Sequence, residues 1–176
     1  YVSNPDVLTL DEHIDEQPRT INSEVILVDQ ANTPVHPQEI GIGISQILPV
    51  VVSALDDSSR LQAIEQPELH VHPRLQAAMG DLFIEASKRN RHIFIIETHS
   101  EHMILRLLRR IRETEKGTAP TDRQLRTNEL GVYYIKQEEG STTASRIDVD
   151  VKGEFIQPWP DDFFEIDFFE RFPDAR

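Results

Sequence analysis

The chain has no cysteine. Disulfides, thiolate zinc sites and cysteine nucleophiles are therefore excluded. It also lacks any apolar run long enough to cross a bilayer and any signal-peptide pattern at its start, so the expectation is a cytoplasmic protein with no membrane partner. Basic residues are in deficit, with 18 Lys and Arg against 31 Asp and Glu. A formal charge of −13 argues against a generally basic surface and leaves only a local patch for nucleic acid. Position 1 is Tyr rather than Met, which makes a piece of a longer protein the expectation. Internal repeats and low-complexity segments are absent as well.

What is present is concentrated in two stretches. LQAIEQPELHVHP, Leu61 to Pro73, and HIFIIETHS, His92 to Ser100, both open as apolar runs of strand length. Each ends abruptly in acidic and histidine residues and is followed by an amphipathic helical pattern. Strand, polar cluster at its carboxyl end, helix is how an open α/β sheet builds a site in the crevice beyond its strand ends. Two such units in succession put Glu65, Gln66 and His99 within reach of one another.

The rest of the chain divides into a polar, acidic lead-in (residues 1–22), a central region (23–128) and a closing region (129–176). SEVILVDQ, Ser23 to Gln30, has the composition of a strand, and Asn32 to Gln38, with two prolines, reads as a loop. Glycines Gly41 and Gly43 precede a helical pattern ending near Leu55, in which Ser45 is the expected N-cap and Pro49 falls near the first turn. His72-Pro73 opens the next helix with proline at its first position. Its expected buried face is Leu75, Ala78, Met79, Leu82, Phe83 and Ala86. Thr98 and Glu101 form a T-x-x-E capping pair for a third helix, with Ile104, Leu107, Leu108 and Ile111 as its buried stripe. Arg106, Arg109, Arg110 and Arg112 lie mostly off that stripe and read as a solvated face. Residues 115–128 read as a loop, and Leu130–Lys136 and Thr142–Val151 as a hairpin around a Gly-Ser turn. In the closing segment Phe164, Phe168 and Phe172 recur at every fourth position. They form either a latch on the domain's own core or, if unpacked, an interface.

A glutamate closing an apolar strand suits Mg²⁺, which takes oxygen ligands and keeps much of its water. Its plainer role is a solvated carboxylate near a helix start. The paired strand endings, Glu65-Gln66-Pro67-Glu68 and Glu97-Thr98-His99-Ser100, favour the first role. A metal-dependent hydrolase is the alternative, with His70 and His72 as ligands and Glu65, Glu68, Glu97, His99 and His102 completing the set. H-x-H is a weak signal for it.

The ordered motifs GIGISQ (Gly41 to Gln46), IEQPELHVHP (Ile64 to Pro73) and IIETHSEH (Ile95 to His102) resemble the carboxyl-terminal half of an ABC-class ATPase. Within that class they resemble the AAA-type, overcoming-lysogenization-defect-like (OLD-like) and SMC-like branch. The closing WPDDFFEID is similar to a domain of unknown function that follows such ATPases. The resemblance implies an incomplete P-loop NTPase-like α/β sheet with flanking helices, followed by a β-hairpin and short helix. It implies that Leu61 to Glu65 is the Walker B strand, with Glu65 holding Mg²⁺ through water. Gln66 stands at the catalytic-glutamate position and His99 at that of the switch histidine. Gly41, Gly43, Ser45 and Gln46 match a degenerate signature motif that clasps the ATP of a partner subunit, and His72 matches the D-loop position at the same interface.

Two departures shape the expectation. Gln66 is no general base, so Glu97, or else Glu68, is the candidate acid, although an amide can still orient water in phosphoryl transfer. No G-x-x-x-x-G-K-[ST] occurs in the 176 residues, so the cradle for the α- and β-phosphates is expected in an upstream half. The implied whole is an Mg-ATP-dependent homodimeric ATPase of which this chain alone is inactive. A non-catalytic interaction module is the remaining reading.

Overall fold

The computed structural model describes residues 26–28, 31–36, 41–56, 61–138 and 140–159. The chain divides into two units, Tyr1–His36 and Pro37–Arg176. In the first, β1 (Leu27–Val28) pairs antiparallel with β2 (Pro34–Val35). The strand expected over Ser23–Gln30 is thus described only as a two-residue ladder, and its partner falls in the segment read as a loop.

The second unit is built on a parallel pair. β3 (Leu61–Glu65) and β4 (Ile93–Glu97) run in register from Leu61↔Ile93 to Glu65↔Glu97. Parallel strands need a long crossover, here α2 (Pro73–Asn90). The α/β architecture expected from the alternation of apolar runs and helical patterns is therefore present. α1 (Ile42–Leu55) and α3 (Glu101–Glu115) pack against α2, and all three helices lie with one sheet face. Val71, Met79, Phe83 and Met103 form the core, with Ile47, Val50, Ile64, Phe94 and Ile96 around them. A second cluster, Ile84, Ile111 and Leu125, joins α2 and α3 to two short 3₁₀ turns (Thr121–Arg123 and Thr127–Glu129). β5 (Val132–Glu138) and β6 (Ser141–Ile147) form the expected hairpin. Phe164, Phe168 and Phe172, and with them the expectation of a short terminal helix, lie outside the described residues.

Side chains alternate along a strand, and here the two faces differ. Gln62, Ile64, Phe94 and Ile96 face the helices. Leu61, Ala63, Ile93 and Ile95 form the other face, where Leu61 is 60%, Ile93 63% and Ile95 60% exposed. Among the described residues the sheet has two strands and one apolar face uncovered. Gln62, polar on an inward position, is satisfied by α1: the Ser53 hydroxyl donates to its Oε1 at 2.7 Å, and its Nε2 donates to the Ser53 carbonyl at 2.7 Å.

Several local expectations are corrected. α1 starts at Ile42 with Gly41 as N-cap, not at Ser45. Gly41 has φ 99, a conformation open to glycine and strained for other residues. Ser45 therefore sits inside the helix, its hydroxyl donating to the Gly41 carbonyl at 3.4 Å, and Pro49 is interior too. The third helix is capped by Ser100, whose Oγ accepts the Met103 N–H at 3.0 Å, while Thr98 accepts the Ser100 N–H. On α2, Leu75 and Ala78 are exposed and the buried face turns toward Gly80, Asp81 and Ile84.

The reason for that rotation is a buried ion cluster. Asp81 on α2 accepts from Arg110 Nε at 2.7 Å and Nη2 at 2.9 Å, and from Arg106 Nη1 at 2.5 Å. Arg110 also bonds Glu113, and Arg123 pairs with Glu85 on α2. Arg109 pairs with Glu113, and Arg112 donates to the Lys152 carbonyl. The solvated arginine face is thus corrected in part: Arg110 is buried and Arg106 half-buried against Asp81, while Arg109 and Arg112 are exposed as expected. Burial pushes the Asp81 carboxyl up, but the bonds and charges of Arg110 and Arg106 outweigh it and hold the group below its ordinary range.

Removing one member of a buried pair leaves the other uncompensated. Asp81→Ala is expected to cost about 3–5 kcal/mol in urea unfolding. Because the folded Asp81 value is depressed, its contribution is present above the unfolded value of 3.8 and lost as pH falls through the lower folded value. The gap between variant and wild type should close over that acid window. A gap unchanged through the window would mean that the carboxylate's charge is not what stabilises the cluster.

Candidate functional site

The carboxyl ends of β3 and β4 bring together most of the residues singled out in the sequence. Glu65 and Glu97 are register partners in the last rung of the ladder and both are exposed. By alternation their side chains share the sheet face that carries Leu61, Ala63, Ile93 and Ile95. Immediately beyond, the Gln66 N–H donates to the Glu97 carbonyl at 2.8 Å. Gln66 has φ 43, a left-handed conformation that a non-glycine residue adopts at a cost of about 1 kcal/mol or more. The chain thus turns sharply at Gln66.

Two turns follow. The Leu69 N–H donates to the Gln66 carbonyl at 3.2 Å, and the Val71 N–H to the Glu68 carbonyl at 3.0 Å. His70, with φ 58, is the second left-handed residue of this loop. His72 then caps α2, its Nδ1 accepting the Arg74 N–H at 3.2 Å, as the His-Pro start led one to expect of a helix N-terminus. His70 and His72 are both exposed. Among the described residues no three His, Asp or Glu side chains gather as a metal would require, which removes the geometric support for a hydrolase metal centre.

The loop after β3 is tied to the loop after β4. The His99 N–H donates to Glu68 Oε1 at 2.6 Å, so the backbone of the exposed His99 is held by a buried carboxylate. A second tie runs through Gln76 of α2, whose Nε2 donates to the Val71 carbonyl at 2.8 Å. Its Oε1 accepts from the Ser100 hydroxyl at 2.7 Å. In the sequence Glu68 reads as a metal ligand or spare base, and Gln76 does not stand out. The available signal is position: Glu68 lies in the turn after β3 and Gln76 in the first turn of α2, both close to the chain reversal.

The Gly41–Gln46 group stands on α1. Gly41 is exposed with open space around it, Gln46 is exposed, and Ser45 is half-buried. What links this group to the strand ends is Gly43. A Cβ there would collide with the His70 carbonyl oxygen, so the helix start lies directly on the loop after β3. Glycine is needed at 43 for that approach.

The arrangement presents two exposed carboxylates side by side, an amide and an imidazole just beyond them, and a glycine-flanked helix start on the adjoining loop. Carboxylate oxygens suit a hard divalent cation, and helix N-termini favour anions. No curated protein matches the chain, and no solved structure does. Residues 5–104, which hold this whole group, match the AAA ATPase domain. That match covers more than half of the chain, and the chain belongs to the AAA ATPase domain family.

Proposed function

We propose that the chain is the C-terminal part of an ABC-class ATPase of the OLD-like and SMC-like branch, and that a P-loop carried by an upstream segment completes it. The observation that supports this reading best is the level ending of β3 and β4. It sets Glu65 beside Glu97, with Gln66 and His99 at the two exits. The uncovered apolar face points the same way, since parallel strands occur almost only with both faces covered. A completing segment that covers Leu61, Ile93 and Ile95 would also bring phosphate-binding backbone to the strand ends.

The residues fit Mg²⁺ bound with nucleotide. One or two carboxylates, water and substrate phosphates make up the usual Mg²⁺ shell, so a larger protein cage is not required. When bound, Mg-ATP would supply the metal's charge to offset that developing on the transferred phosphoryl group. Glu65 would hold the metal through water. Glu97, exposed and its partner in the same rung, would take the proton of the attacking water, and Gln66 would orient that water from its left-handed turn. His99 would donate toward the γ-phosphate. Gly41, Gly43, Ser45 and Gln46 at the start of α1, with His72 at the D-loop position, face the nucleotide of a second copy in a head-to-tail homodimer. In this reading the 176 residues alone do not hydrolyse ATP.

Equilibrium binding tests the reading. The chain alone is expected to show no Mg-ATP binding, and a form extended through the upstream coding sequence to bind in the micromolar range. Failure of the extended form would refute the proposal. In that extended protein Glu65→Ala should abolish Mg²⁺-dependent turnover, and full turnover would remove Glu65 from the metal site. Ser45→Arg should prevent ATP-driven dimerisation in light scattering while leaving the monomer's melting temperature unchanged. Dimers formed normally by that variant would exclude α1 from the interface.

A further inference from the structure

Glu68 is the one acid of the EQPE stretch that the proposed mechanism leaves without a task, and its surroundings are unusual. It is 8% exposed and lies in a loop between two left-handed residues, Gln66 and His70. One carboxylate oxygen takes the His99 N–H at 2.6 Å. The other, Oε2, is buried without a hydrogen-bond partner among the described residues. Burying a carboxylate is costly unless it is bonded, so a mere turn-forming residue here would better be neutral.

Oε1 is committed to a backbone amide and Oε2 is out of contact with solvent, so neither oxygen is placed to meet an attacking water. We infer that Glu68 is a positioning residue: it holds the His99 backbone and so couples the loop after β3 to the histidine after β4. The inference rests on the ATPase reading for its functional consequence, but not for the contact itself.

The coupling extends further along the chain. The His70 carbonyl lies against Gly43 at the start of α1, and Val71 is fixed through Gln76 to Ser100. A shift of the α1 start therefore presses on His70, and through the short 66–70 turn on Glu68, which carries His99 with it. Tight packing passes such displacements on because close-packed groups have no slack to absorb them.

Two readouts on the full-length protein test this. The first is hydrogen exchange of the His99 amide without nucleotide, which does not depend on any activity. Glu68→Ala is expected to speed it about tenfold, the loss of one charge-assisted hydrogen bond, with exchange in α2 and α3 unchanged. Glu68→Gln keeps an acceptor for the same amide and is expected to leave His99 protected. The second is steady-state ATP hydrolysis. Glu68→Ala should lower kcat at least about tenfold, as misplacement of a reacting group by an ångström does, with KM for ATP within threefold, and Glu68→Gln should restore most of kcat. Unchanged His99 exchange in Glu68→Ala overturns the inference. So does a Glu68→Gln protein that protects His99 yet loses kcat as fully as Glu68→Ala. If Glu68→Ala unfolds, Glu68→Gln alone decides by the same two criteria. A wild-type protein that hydrolyses no ATP would refute the proposed function, while the exchange readout would still decide the role of Glu68.

Discussion

The in-register parallel ladder between β3 and β4 is the constraint on which the site depends. Glu65 pairs with Glu97 because Leu61 pairs with Ile93 four rungs earlier. A slip of one residue would turn Glu65 and its apolar neighbours to the helix-facing side of the sheet. It would also separate Gln66 from the Glu97 carbonyl it now bonds. The level ending is what lets two different loops leave the sheet at one height and exchange hydrogen bonds through Glu68. Geometry at the site is thus inherited from backbone pairing laid down by apolar residues that take no part in the chemistry.

Around that ladder, position is specified by buried polar groups more than by shape alone. Gln62 fixes α1 to β3 through a two-point bond with Ser53, a contact that an apolar residue could not direct. Asp81 fixes α2 to α3 through Arg106 and Arg110. Glu68 and Gln76 fix the two loops to each other. Each is a polar residue set in an otherwise apolar surface, and each has partners from a different element. Such groups are costly when misplaced, so they penalise alternative packings of the same helices. The core built from Met79 and Met103, flexible side chains able to fill irregular gaps, would by itself tolerate more than one arrangement.

The parts of this fold that were legible in the sequence are those set by local rules. The strands at Leu61 and Ile93 could be read because apolar runs stop at charged residues, and the hairpin because a Gly-Ser turn divides two β-branched runs. The start of α2 was readable from His72-Pro73. The misreadings share a cause: they concern polar residues whose partners are distant in sequence. Arg110 reads as solvated until Asp81, 29 residues earlier, is placed opposite it. Thr98 and Glu101 satisfy the capping-box pattern, yet Thr98 serves the Ser100 N–H and Ser100 takes the cap. Ser45 looked like a cap because Gly41 carries no side chain to advertise itself, although its left-handed φ makes it the residue that can end the incoming chain there. The neighbourhood of the two strand ends is readable but the Glu68–His99 bond is not, since nothing in the sequence says which polar atoms of the two loops meet.

The chemical and the structural gaps of the proposed ATPase coincide. In the proposed reading Glu65, Gln66, Glu97 and His99 would act on the γ-phosphate side, and the 176 residues hold no G-x-x-x-x-G-K-[ST] to cradle the α- and β-phosphates. Structurally, the same sheet leaves Leu61, Ile93 and Ile95 exposed on the face from which Glu65 and Glu97 project. Burying three such side chains is worth roughly 1.5–3 kcal/mol each, a substantial share of the stability of a small domain. A segment that covered this face would gain that energy only when seated, and seating it would place its backbone next to the two carboxylates. Folding of the sheet and assembly of the nucleotide site would then be one event. That would account for a helix-facing side tied together by Gln62, Asp81 and Glu68 while the other face offers apolar surface and paired charge.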